Sequence, residues 1–171
     1  MIEVTDPADS GAEAARAFVQ HARHLLLAEY LPKIERCLER LNDEQVWWRA
    51  NSESNSIGNL LLHLSGNARQ WIVSGLGGAV DRRARPEEFA ERRLIPRDEL
   101  LAGLRQTLSE VDQVLGEFDV LRLLERRRIQ GMEVTALEAI FHVTEHFSGH
   151  TGQIILLTKL LTAKDLHFYD L

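Results

Sequence analysis

At 171 residues, 44% hydrophobic and 27% charged with four prolines, the chain has the make-up of an ordinary globular domain, long enough to bury a core without staples. A net charge of −6 lacks the electrostatic footprint of a nucleic-acid binder, and no apolar run approaches the roughly 20 residues that span a bilayer. One cysteine, Cys37, leaves no internal disulfide and suits a reducing cytoplasm. The segment Met1 to Ser10 carries Glu3, Asp6 and Asp9 without a basic region leading into an apolar stretch, so it does not read as a secretory signal.

Four helical segments are predicted from apolar periodicity and punctuation, which makes the fold class all-α over a single domain, 1–171. The first runs from about Ala12 to Leu41, with Phe18, Ala22, Leu25, Leu26, Leu31, Ile34, Leu38 and Leu41 at helical spacing and Pro32 expected to kink or split it. The second spans about Asn55 to Ser74 and stops at Gly75, Gly77 and Gly78. The third starts beside Pro96, carries Leu100, Leu104, Leu108, Val111 and Leu115, and ends near Gly116. Val120 to Val134 mixes Leu, Ile and Arg with Gly131 and has room for a short extended pair. The fourth helix opens on Thr135 with Glu138 three residues on, a capping box that satisfies exposed N–H groups in both directions. It reaches about Thr162, with Glu138, Glu145 and Lys159 on its solvent line. Four such helices with two long connections form an up-down bundle, whose ligand sites are built from side chains on facing helices.

On the last helix, His142, His146 and His150 follow one another at four-residue steps, so their imidazoles share a face. His142 and His150 stand about 12 Å apart along the axis at about 1.5 Å per residue, too far for one ion. A neighbouring pair supplies two ligands, and spacing leaves His142/His146 and His146/His150 both open. The third ligand must come from another helix, and His63 is the candidate. It sits in a charge-free polar seam of Ser56, Asn59, His63, Asn67, Gln70 and Ser74, which periodicity reads equally as a cavity wall or as a sparsely charged outer face. Gly149 and Gly152 beside the histidines cost helix stability, roughly 1 kcal/mol each against Ala, and point to room for a close helix or a bound ligand.

Other chemistry fits less well. There is no Glu-x-x-His of a di-iron bundle, no His-Glu-x-x-His, no Gly-x-Ser-x-Gly and no Walker loop. Cys37, beside Ile34, Leu38 and Leu41, reads as a packed thiol, His21 and His24 as an exposed pair near a helix start, and His167 as a histidine without an obvious partner. The clusters Arg82, Arg83, Arg85 and Arg126, Arg127, Arg128 read first as solvated surface balanced by Glu87, Glu88, Glu91 and Glu125, and second as a site for a small anion.

The segment Glu145-His146-Phe147-Ser148-Gly149-His150-Thr151-Gly152-Gln153-Ile154, with Asn55 to His63 before it, the Glu44 to Trp48 approach and the His167 to Tyr169 tail, resembles the DinB/YfiT superfamily of metal-binding four-helix bundles, in an uncharacterised branch. The resemblance implies a three-histidine site with one ligand from the second helix and a His-x-x-x-His pair from the last. Those positions are His63, His146 and His150 here, which leaves Asn59, Asn67 and His142 as a cavity wall or as groups standing behind the ligands or facing a substrate or cofactor, with simple packing the further alternative for His142. It further implies a divalent metal, with all-nitrogen ligation favouring zinc or nickel. Characterised relatives use such a metal with low-molecular-weight thiols such as bacillithiol or mycothiol, so thiol transfer to a small electrophile is the leading expectation. An interaction module without turnover and a metal-dependent hydrolase are the alternatives, the latter lacking an evident base. A homodimer is expected from the relatives, and no nucleic-acid or membrane partner.

Overall fold

Pro32 shapes the first rod without breaking it. In the computed structural model, which describes residues 7–168, helix α1 (Pro7–His24) widens into a π-helical turn at Leu25–Tyr30 and continues as α2 (Leu31–Leu38). Proline lacks an N–H for the carbonyl four residues back, and its ring collides with that carbonyl. The wider turn lies just ahead, where the Leu31 N–H reaches the Leu26 carbonyl, so the strain is absorbed over one turn rather than by a break. The rod therefore starts at Pro7, not Ala12, and ends at Leu38 rather than Leu41. Inside it, Cys37 is fully buried beside Ile34, and burial pushes its thiol pKa up, as befits a packed and unreactive group.

Helix α3 (Asp43–Val46) is a single turn that opens on a reciprocal Asn42–Gln45 capping box. It delivers Trp47 into the core, where the indole Nε1 donates to the Ile95 carbonyl at 2.9 Å. Helix α4 (Ile57–Ala68) passes beneath that indole at Gly58, where a Cβ would stand 2.8 Å from the ring. Ser56 and Asn59 cap its start reciprocally, and a π-helical continuation over Arg69–Ser74 completes the second rod. It stops in the glycine turn, with Gly78 at a φ of 78°.

Helix α5 (Arg85–Ala90), another short element, lies in the long connection to α6 (Arg97–Glu117), the third rod. After a 3-10 turn at Val120–Arg122, strand β1 (Arg126–Ile129) pairs antiparallel with β2 (Met132–Thr135), Arg126 facing Thr135 and Ile129 facing Met132. Gln130 and Gly131 turn the hairpin with φ of 52° and 79°, the positive values that a tight two-residue connection requires. The fourth rod, α7 (Ala136–Thr162), starts on the expected Thr135–Glu138 box and ends at Ala163 in the left-handed region, φ 51°. The extended pair is thus real, and its second strand ends on the capping residue of α7.

Leu26 and Ile34 from the first rod, Leu60, Leu61 and Leu64 from α4, Leu104 and Leu108 from α6, and Ile140, Phe147 and Ile154 from α7 are all buried in one core. Glu138, Glu145 and Lys159 face solvent as their heptad line requires. No described helix is long and apolar enough to cross a membrane. Of the His167 to Tyr169 tail, Tyr169 lies outside the described residues. The Leu166 and His167 carbonyls accept from the Arg36 guanidinium, which ties the tail to α2.

Candidate metal centre

The uncharged seam of α4 faces inward. Ser56 and Asn59 are fully buried, and His63 and Asn67 are each 3% exposed. Leucines on either side carry α4 into the core, and the seam turns toward α7. There the four-residue rhythm of α7 sets His146 and His150, both half-buried, against His63.

One ligand atom from each of His63, His146 and His150 lies within 4.8 Å of the others, so these three could hold a metal ion. His63 Nε2 and His146 Nε2 are 2.9 Å apart, and the His63–His150 and His146–His150 ring centroids are 5.2 and 4.4 Å apart. Around a tetrahedral ion with bonds of about 2.0–2.1 Å the nitrogens would stand roughly 3.3 Å apart, so the His63–His146 pair would open from its 2.9 Å while the wider separations close, shifts within reach of side-chain rotation. The donor chemistry fits as well. Burial first, then the charges of His150, His63 and His142, push the His146 pKa from 6.5 to about 3. Burial lowers His150 too, so both imidazoles are neutral at neutral pH, the form that binds metal. His150 Nδ1 meets Gln153 Oε1 at 2.9 Å, leaving Nε2 for an ion.

His142 stands outside the trio. Its ring packs on Trp71 with centroids 4.1 Å apart, its Nε2 meets Asn67 Nδ2 at 3.1 Å, and it lies 5.3 Å from the His146 ring. Asn67 thus joins His142 one turn along from the trio. Asn59 spends its side chain elsewhere. Its Oδ1 accepts from Ser56, and its Nδ2 donates to the Glu88 and Glu91 carbonyls at 2.8 and 3.2 Å. Its amide is therefore a strut between α4 and α5 rather than a surface left open to a ligand. At Gly149 and Gly152 a Cβ would meet nothing within 4 Å, so no close helix occupies the space there among the described residues.

Two residues of the arginine and glutamate clusters belong to the site, which corrects the reading of the whole stretch as solvated surface. Glu88 Oε2 lies 2.8 Å from His63 Nδ1, and Arg83 binds the same carboxylate through Nε at 2.7 Å and Nη2 at 3.0 Å. These side chains are only 4% exposed for His63 and Arg83 and 10% for Glu88. Burial pushes the Glu88 carboxyl up, but the bonds from His63 and Arg83 and the Arg83 charge outweigh it and hold its pKa below the ordinary value. Arg82 and Arg85 remain exposed, and Arg127 pairs with Glu125 at 2.7 Å. His21 and His24 are exposed as expected but lie in the last turn of α1 rather than near a helix start, because the helix begins at Pro7, and His167 Nδ1 lies 3.5 Å from Asp165. The sequence carries one signal of this arrangement, Gly66, three residues after His63 in mid-helix, which marks a space beside the histidine without saying what fills it.

The family model described as Protein of unknown function (DUF1572) matches residues 13–170. Among solved structures, that of a conserved protein from Enterococcus faecalis is similar with a TM-score of 0.72 at 15% identity, covering 85% of this chain and 97% of its own. A DinB-like protein from Bacillus cereus is similar with a TM-score of 0.62 at 16% identity, covering 77% of this chain and 85% of its own. Comparison with curated proteins finds no match. At such identities the likeness is one of fold, a DinB-like four-helix bundle.

Proposed function

Because the chain belongs to the DUF1572 family and has a DinB-like fold, we propose that it binds a divalent metal, zinc or nickel, through His63, His146 and His150. We propose further that it uses the metal to activate a low-molecular-weight thiol for attack on a small electrophile. The observation that carries this reading is the convergence of three ligand atoms from two helices within 4.8 Å. A three-nitrogen set leaves such an ion positions for a further ligand and supplies Lewis acidity that favours the thiolate form of a thiol. The chain's own part is to bind and orient. His63 is deep and His146 and His150 are half-buried, so a small molecule reaches the trio from the α7 side. Asn67 Oδ1 and Trp71 Nε1 are buried without a hydrogen-bond partner among the described residues, an acceptor and a donor beside His142 that suit a polar group of a bound molecule. Glu88 lies against the far edge of the His63 ring, so it does not serve as a base on the open side, and hydrolysis gains nothing from it.

A second reading, an interaction module that dimerises, is favoured by the outer face of α7. Phe141, Leu156 and Leu160 are 59%, 58% and 67% exposed there, with Gly149 and Gly152 between them.

Elemental analysis of untagged protein separates the two, together with cobalt substitution followed by titration with candidate thiols. Near one metal per chain, with a cobalt spectrum that a thiol changes, supports activation. Absence of metal uptake would leave the interaction module as the better account.

A further inference from the structure

The arrangement behind His63 exceeds what a helix-packing contact needs. An imidazole can ligate through Nε2 only when the proton sits on Nδ1, and a carboxylate against Nδ1 is the usual means of keeping it there. A carboxylate only accepts, so across the 2.8 Å between Glu88 Oε2 and His63 Nδ1 the ring must donate. Arg83 Nη2 also lies 3.1 Å from Nδ1. That is the separation of two donors converging on one oxygen, since Nη2 itself reaches Oε2 at 3.0 Å. With Nδ1–H committed, Nε2 presents its lone pair toward His146 and His150.

Glu88 in turn is held from three directions. Asn59 Nδ2 fixes its backbone carbonyl at 2.8 Å, and Arg83 grips both carboxylate oxygens. Gly66 provides the slot, because a Cβ there would fall 2.0 Å from Oε1 and 2.9 Å from the carboxyl carbon. Phe89, the next residue of α5, packs its ring 4.6 Å from the His63 ring. A six-residue helix with this much hardware aimed at one imidazole has a task at that imidazole.

We propose that Glu88, oriented by Arg83 and admitted by Gly66, is the positioning residue of the metal centre, holding His63 in the tautomer and ring orientation that offer Nε2 to the ion. The proposal rests on the three-histidine reading. It differs in making affinity depend on groups that touch no metal, and on a glycine with no polar side chain at all.

The test uses the full chain with Gly66→Ala, Glu88→Ala and Glu88→Gln. In the 15N-labelled apoprotein, two-bond proton–nitrogen correlations show which His63 nitrogen carries the proton. Zinc affinity is then measured by competition with a chromophoric chelator. The wild type is expected to carry the proton on Nδ1. Gly66→Ala should displace the carboxylate although alanine is the better helix former. It and Glu88→Ala are expected to move the proton toward Nε2 and weaken zinc about 10- to 100-fold, with helical content unchanged. Glu88→Gln keeps an acceptor oxygen and is expected to retain the tautomer and most of the affinity. A wild-type proton on Nε2 would overturn the proposal, as would Gly66→Ala and Glu88→Ala proteins with wild-type tautomer and affinity. If the wild type takes up no zinc, the metal reading falls, and the proton's place alone decides whether Glu88 governs His63.

Discussion

A buried histidine is costly to charge, and that fact sets both the chemistry and the acid sensitivity of this protein. His146 is depressed to about 3, and His142 and His150 are lowered, in each case by burial first. In the unfolded chain these rings take up protons near 6.5, while the folded protein resists them until much lower pH. Between those limits the unfolded state binds more protons. The stability is therefore complete above about pH 6.5 and is lost as pH falls toward 3. Urea midpoints of the apoprotein should hold from pH 7.5 to about pH 6.5 and then fall steadily to pH 5, and a profile flat throughout would contradict the burial of His142, His146 and His150. Substitution separates roles at the same scale. His63→Ala is expected to abolish tight metal binding with far-ultraviolet circular dichroism unchanged, and His142→Ala to cost far less than His146→Ala or His150→Ala. Equal losses at His142 and His150 would reassign the pair. The histidines themselves were legible because a four-residue rhythm needs no tertiary information. Glu88 and Arg83 were not, because they lie 25 and 20 residues from His63 in a stretch so rich in both charges that a buried pair looks like a solvated one.

At the level of elements, what could be read from sequence followed the strength of local punctuation. The Thr135–Glu138 box and the glycines after Ser74 are chemical stops and starts, and the structure places helix ends there. Helices α3 and α5, with four and six residues, are shorter than the two turns that periodicity needs to declare itself. The π-helical turn before Pro32 was hidden for a different reason. Proline announces that a hydrogen bond is missing but not how the neighbours respond. Close packing also sets a testable limit at Gly58. Alanine there would gain roughly 1 kcal/mol of helix propensity. Its Cβ would also press 2.8 Å from an indole that is pinned to Ile95, and overpacking of this kind costs about 1–3 kcal/mol. Gly58→Ala is therefore expected to lower the denaturation midpoint. A raised midpoint would mean that Trp47 yields more easily than its hydrogen bond suggests.

For the whole molecule, bundle topology and charge define what can approach. The net charge of −6 leaves little to attract a polyanion, so affinity for duplex DNA should be negligible at physiological salt with no steep salt dependence. Filter binding across salt concentrations checks this, and tight salt-sensitive binding would overturn it.

His63 and His146 meet across 83 residues of chain, and this separation would make an ion held between them a long-range tether. Bringing such distant points together costs a disordered chain roughly 4.5 kcal/mol in lost configurations, so the unfolded polypeptide cannot assemble the site, whereas His146 and His150 alone need only one turn of helix. An ion that binds the native state so selectively transfers its binding free energy to folding almost undiminished. A chain whose only cysteine is Cys37 would thereby acquire a removable crosslink. Saturating zinc should raise the melting temperature of the wild type by several degrees, while in His63→Ala the remaining pair should still take zinc weakly with almost no thermal shift. Should the variant gain as much as the wild type, the ion would be bridging neighbours on one helix rather than joining distant parts of the chain.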